Sequence, residues 1–156
     1  KPQNVKDYCP NGLQIEGAEN ITKVITGVTA SQALIDHAIQ RKAQAIFVHH
    51  GYFWRGENPC LRGMKKARFK ALLLNDINLY AYHLPLDIHP ELGNNAQLAK
   101  RLGISVVEGL DKSDLQSVAM QGEFAQAMSL SSLVNKVEQA LDRTPLVISG
   151  GQHKIK

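Results

Sequence analysis

The sequence predicts an α/β protein, with strands and helices alternating around a largely parallel or mixed sheet. Three observations carry that prediction. Short β-rich runs at residues 21–26, 45–48 and 79–83 are separated by stretches in which apolar residues recur at helical spacing. The 45–48 run is apolar throughout, as expected of a strand covered on both faces. Hydrophobic residues make up 44% and charged residues 21% of the 156, a globular composition that excludes a disordered chain.

The elements follow in order. Residues 21–26 make the first strand. Thr29, Ala30, Ser31 and Gln32 have the spacing of a capping box, a hydroxyl followed three residues on by Gln. They open a helix to about Lys42 that places Leu34, Ile35, Ala38 and Ile39 on one face. After the strand at 45–48, residues 61–75 form a second helix, basic on one side, with Phe69, Leu72 and Leu73 on the other. Residues 79–83 are the next strand. Residues 95–102 give a short helix, and Gly103 stands where a left-handed terminal residue belongs. Residues 105–107 read as a short strand, and the stretch from there to Gln126 has no clear period. Residues 131–141 are an amphipathic helix, Pro145 follows it, and 146–148 is strand-like.

No internal repeat, low-complexity segment or linker interrupts this pattern, so residues 1–156 are expected to form a single α/β lobe. The first residue is not Met, and the tail Gly150, Gly151, Gln152, His153, Lys154, Ile155, Lys156 reads as the approach to a strand. The expectation is an incomplete portion of a longer chain.

Composition narrows the function. A domain of this size buries roughly 70% of its unfolded surface, enough for a real core. No apolar run approaches the ~18 residues of a membrane span, and the N-terminus has no signal-peptide pattern. Cys9 and Cys60 form neither a CxxC pair nor a disulfide-dense pattern, so they are expected to be ordinary thiols in the cytoplasm. The net charge is +4 and the isoelectric point about 9.1. The excess sits partly in Lys65, Lys66, Arg68 and Lys70 and partly in Lys154 and Lys156. The aromatic residue among those charges, Phe69, falls on the helix's other, apolar side and offers bases no platform, so the charges read as a solvated face rather than a nucleic-acid site.

The chemistry gathers just past two predicted strands, the end at which open α/β sheets bind ligands. His49 and His50 follow the apolar run, and Gly51 frees the backbone to turn so that both rings can face one point. Burying two imidazoles costs free energy unless they find partners, and imidazole is a common ligand for zinc, iron and similar ions. His83 and Asp87, four apart across a turn bearing Pro85, add one nitrogen and one carboxylate. The plainer reading is a satisfied polar network in which Asp87 caps a turn and His83 packs against it. His37 is expected on a helix surface, His89 is a weaker candidate in a loop, and His153 in the tail has no assigned role.

At these residues the sequence resembles the Nif-three-like family, the GTP cyclohydrolase I type-two homologs, and is similar to its gammaproteobacterial version. The matching stretches are residues 7–17 from Asp7 to Gly17, Thr26-Gly27-Val28-Thr29-Ala30-Ser31, Val48-His49-His50-Gly51-Tyr52-Phe53-Trp54, and His83-Leu84-Pro85-Leu86-Asp87 with Gly93-Asn94-Asn95. The resemblance implies an α/β protein assembled as a toroidal homohexamer, with a dinuclear metal centre in each subunit facing the interior. It implies that His49 and His50 each ligate one of two divalent ions, whether zinc, iron, manganese or nickel. Asp87 would add a carboxylate, with His83 as a further ligand or just behind. The family completes its site with a His and a Glu from a C-terminal motif, to which this sequence has no counterpart. The implied activity is that of a metal-dependent hydrolase acting on a nucleotide or phosphoester. The alternative is a metal-binding toroidal scaffold or regulatory protein, DNA-associated through phosphate contacts.

Overall fold

A computed structural model describes residues 5–111, 113, 114, 117–151 and 153–156. Gln152 of the tail lies outside the described residues. The chain divides into two compact units, residues 1–86 and 87–156.

The first unit holds β1 (Gly12–Ile15), β2 (Val24–Thr29), α1 (Gln32–Gln40), β3 (Ala45–His50), α2 (Gly63–Leu74) and β4 (Asn78–Ala81). Its four strands lie in the order β1-β4-β3-β2. β2, β3 and β4 run parallel, while β1 runs antiparallel along the far side of β4. The sheet is therefore mixed. β1 was not expected from the sequence: its alternation is only Leu13-Gln14-Ile15 long, it opens on Gly12 at φ 108 and it shifts register between Leu13 and Ile15.

β2 begins at Val24, three residues later than expected. The Gln44 side chain accepts the N–H groups of Thr22 and Lys23 at 3.1 and 3.0 Å, so that stretch is held by side-chain bonds instead of a strand ladder. The helix cap also shifts. Thr29 is the last residue of β2, paired with His50, and Ser31 caps α1 through its Oγ, which accepts from the Leu34 N–H at 3.2 Å. From α1, Ile35 and Ala38 are buried, with Leu34 and Ile39 packed beside them. From α2, Phe69 and Leu72 enter the core, but Leu73 is 55% exposed. The covered stripe of α2 runs through Lys65, Arg68, Phe69 and Leu72, and Leu73 falls beyond its edge. Between the two helices and the sheet, Ile46, Ile77 and Leu79 are almost completely buried.

β3 reaches two residues further than the apolar run, through both histidines. His49 and His50 are thus the end of the strand rather than the loop after it. β4 stops at Ala81, so His83 lies just beyond its carboxyl end.

α3 (Leu84–Asp87) is a single turn that runs to the start of the second unit. The second unit continues with α4 (Asn94–Leu102), β5 (Ile104–Gly109), β6 (Met120–Phe124) and α5 (Leu130–Leu141). Gly103 closes α4 at φ 65, as expected. β5 includes the expected strand at 105–107 and pairs antiparallel with β6, which lies in the stretch that showed no period. α5 is capped by Ser129. The strand expected at 146–148 does not form: Leu146 and Ile148 are 91% and 85% exposed, and the backbone bridge to Met128 is made by Ile155 instead. Apolar side chains alone do not make a strand where no neighbouring backbone supplies the ladder bonds. Among the described residues, no helix is long and apolar enough to cross a membrane.

Candidate metal centre

Because β3 and β4 are parallel, their carboxyl ends open at the same edge of the sheet, and three histidines meet there. His49 bonds through Nδ1 to the Tyr82 carbonyl at 3.0 Å. His50 Nδ1 lies 3.2 Å from the Thr29 hydroxyl. His83 Nδ1 lies 2.8 Å from the Asp7 carboxylate. The ring centres are 4.5 Å apart for His49 and His50, 5.0 Å for His49 and His83, and 5.7 Å for His50 and His83. One ligand atom from each ring lies within 4.8 Å of the others. Trp54 meets His83 edge to face at 4.9 Å and lies 6.1 Å from His50, giving the cluster an aromatic wall.

The backbone around the histidines is tied down from β1. A Cβ on Gly51 would collide with Gln14 Oε1 and come within 2.7 Å of the Ala81 side chain, so only glycine lets the chain pass here. Gln14 in turn accepts the Tyr52 N–H at 2.7 Å and donates to the Pro10 and Tyr52 carbonyls at 2.9 and 3.1 Å. Tyr52 donates its hydroxyl to the Ala30 carbonyl at 2.7 Å. Burial pushes that phenol up to about 12, against the opposing pull of Arg68.

Asp7 is the hub of the loop before β1. Its side chain is only 3% exposed. Besides the His83 ring, it accepts the Tyr8 N–H at 2.5 Å, the Asn11 amide at 2.8 Å and the Leu84 N–H at 2.9 Å. Burial raises its carboxyl, but the bonds from Asn11, His83, Tyr8 and Leu84 outweigh it and hold the group below the usual carboxylate range. Asn11 Oδ1 also accepts the His83 N–H at 2.8 Å, so the ring and its backbone are both anchored. Asp7 and Asn11 were not among the candidate site residues. The local signal was faint: a carboxylate and an amide four apart in a turn-rich loop, with no helix there to cap.

Cys9, Asp7 and His83 form a second compact group of potential ligand atoms. Burial and the Asp7 charge push the Cys9 thiol up to about 11, so in the absence of a bound cation it stays protonated at neutral pH. Cys60 is exposed, and neither cysteine is in a disulfide.

Asp87 lies in the second unit, at the end of α3, where its Oδ1 accepts from Asn94 at 2.8 Å. In the same unit Asp87 and His89 border a cavity of about 240 Å³. His89 Nδ1 accepts the N–H groups of Glu91 and Leu92 at 3.3 and 3.1 Å, which makes it a turn-closing residue. His37 and His153 are exposed. On α2, Lys65 pairs with Glu57 at 3.2 Å and Arg68 is drawn towards Tyr52, so the basic cluster is divided between inside and outside.

The donor set fits a metal ion: three imidazoles suit zinc, iron or nickel, and each ring has Nδ1 engaged, so it would ligate through Nε2.

The family profile of Duf34/NIF3 (NGG1p interacting factor 3) matches residues 1–156. The chain belongs to the Duf34/NIF3 family. It is similar to a Haemophilus influenzae Duf34/NIF3 relative named GTP cyclohydrolase 1 type 2 homolog, 58% identical over 153 residues, covering 97% of this chain and 61% of that protein. Among solved structures, protein ybgI, described as of unknown function, matches at 52% identity with a TM-score of 0.87, over 93% of this chain and 57% of that one. Protein TTHA1606 from Thermus thermophilus matches at 35% identity with a TM-score of 0.80, over 96% and 61%. The chain spans about 60% of the length of the curated Duf34/NIF3 relatives it matches.

Proposed function

We propose that this Duf34/NIF3 chain supplies part of the active centre of a metal-dependent hydrolase acting on a nucleotide ring or a phosphoester. His49, His50, His83 and Asp87 are its metal ligands, and the intact protein holds two divalent ions in each subunit. The observation that carries the reading is the convergence of three imidazoles at the carboxyl edge of β3 and β4, with ligand atoms within 4.8 Å of one another. The name carried by the similar Haemophilus influenzae protein agrees with it.

A bound divalent ion would lower the pKa of a water and polarise the substrate oxygen or ring carbon. The residues divide the rest of the work. His49 and His50 hold their rings through Tyr82 and Thr29. Trp54 packs its ring against one side of the cluster, beside His50 and His83. Asp87 brings a carboxylate, which can bridge two cations. The ring-shaped homohexamer belongs to the same proposal, with the centre turned inward.

Metal content by mass spectrometry on the full-length protein tests the reading, alongside His49→Ala, His50→Ala and Asp87→Ala. Two metals per subunit, lost with turnover of nucleotides or phosphoesters in the variants, is the expected result. Metal-free protein with an intact fold, or turnover retained in the His49→Ala, His50→Ala double variant, would refute it. Sedimentation of the same sample reads the oligomer.

A further inference from the structure

We propose that Asp7 is a positioning residue for this centre: it fixes the His83 ring with its proton on Nδ1 and leaves Nε2 as the ligating nitrogen. The inference rests on the metal reading above and concerns a residue that the reading does not use.

The geometry decides the proton. Asp7 Oδ1 is 2.8 Å from His83 Nδ1. Its other neighbours, the N–H groups of Tyr8 and Leu84 and the amide of Asn11, can only donate. A carboxyl surrounded by donors has no acceptor to receive a proton of its own, so the ring nitrogen facing it must be the donor. A neutral imidazole that donates from Nδ1 keeps its lone pair on Nε2. Asn11 fixes the His83 backbone through its N–H at 2.8 Å, and Trp54 packs edge to face on the ring with centres 4.9 Å apart, which restricts its rotation. Carboxylate partners of ligating histidines set tautomer and orientation in this way, and their loss typically weakens metal binding 10–100-fold. Asp7 lies 76 positions from His83 in the chain, so the loop before β1 becomes part of the centre only on folding.

The test uses metal-free full-length protein, zinc ion alone as the probe, and the variants Asp7→Ala, Asp7→Asn and His83→Gln. Long-range nitrogen–proton NMR of the wild-type imidazoles, with His83 assigned from His83→Gln, should show the Nδ1–H tautomer. Asp7→Ala should shift that population towards Nε2–H and weaken zinc binding 10–100-fold, and Asp7→Asn, which keeps an acceptor oxygen, should recover part of both. In the His83→Gln background, Asp7→Ala should weaken zinc binding no further. An Nε2–H tautomer in the wild type would overturn the proposal, even if every Asp7 variant fails to fold. So would wild-type zinc affinity in folded Asp7→Ala, or an equal loss with and without His83. If the wild type binds no zinc, the metal reading fails, and the tautomer spectra still decide the role of Asp7.

Discussion

Gly51 shows how little latitude single residues have at this edge of the sheet. An added methyl there would meet both Gln14 and Ala81, and Gln14 cannot swing away without abandoning its bonds to Pro10 and Tyr52. Gly51→Ala should therefore cost about 1–3 kcal/mol, the usual range for overpacking a close contact. A lower urea midpoint at unchanged slope would report it, and an unchanged midpoint would mean that Gln14 yields freely. The same residues mark the limit of reading a site from sequence. His49, His50 and His83 stood out because titratable rings follow strand-like runs. Asp7, Asn11 and Gln14 did not, because their partners are 76, 72 and 38 positions away and leave no local period.

Among the elements, the start of α1 separates two hydroxyls that look alike in the sequence. Thr29 is used by the β2–β3 ladder and reaches His50, while Ser31 has the extended backbone of a cap and accepts the Leu34 N–H. Ser31→Ala is expected to lower stability by about 1 kcal/mol. Thr29→Ala should cost less, since its side chain is exposed and caps nothing. Urea denaturation of the two variants distinguishes them, and equal losses would contradict the assignment of the cap. The capping-box spacing found the right helix but the wrong hydroxyl, since the signal marks a neighbourhood and the strand decides which residue is available. β1 was missed for a related reason. It is a four-residue edge strand with a register shift, and its pairing comes from β4 rather than from its own pattern.

Across the whole molecule, burial is unequal between the two units. Ile35, Ile46, Leu72, Ile77 and Leu79 in the first unit are almost fully enclosed. Among the described residues of the second unit only a few apolar side chains, such as Ala99, Leu102 and Phe124, are buried, and α5 has none. Hydrogen exchange on this chain should therefore show the slowest amides in β3 and β4, with those of α5 and residues 143–151 exchanging first. Slower exchange in α5 than in β3 would contradict that order. The sequence by itself determined the α/β class, the parallel β2, β3 and β4 with their helices, and the histidines that gather at one edge. Period and residue type are local properties, and these features are written in them. Only the tertiary structure decided that β1 joins antiparallel, that 146–148 stays out of any sheet, and that Asp7 stands behind His83. Each of those depends on which distant backbone or side chain arrives as a partner, and an unpaired polar group or strand carries no local mark of the partner it will find.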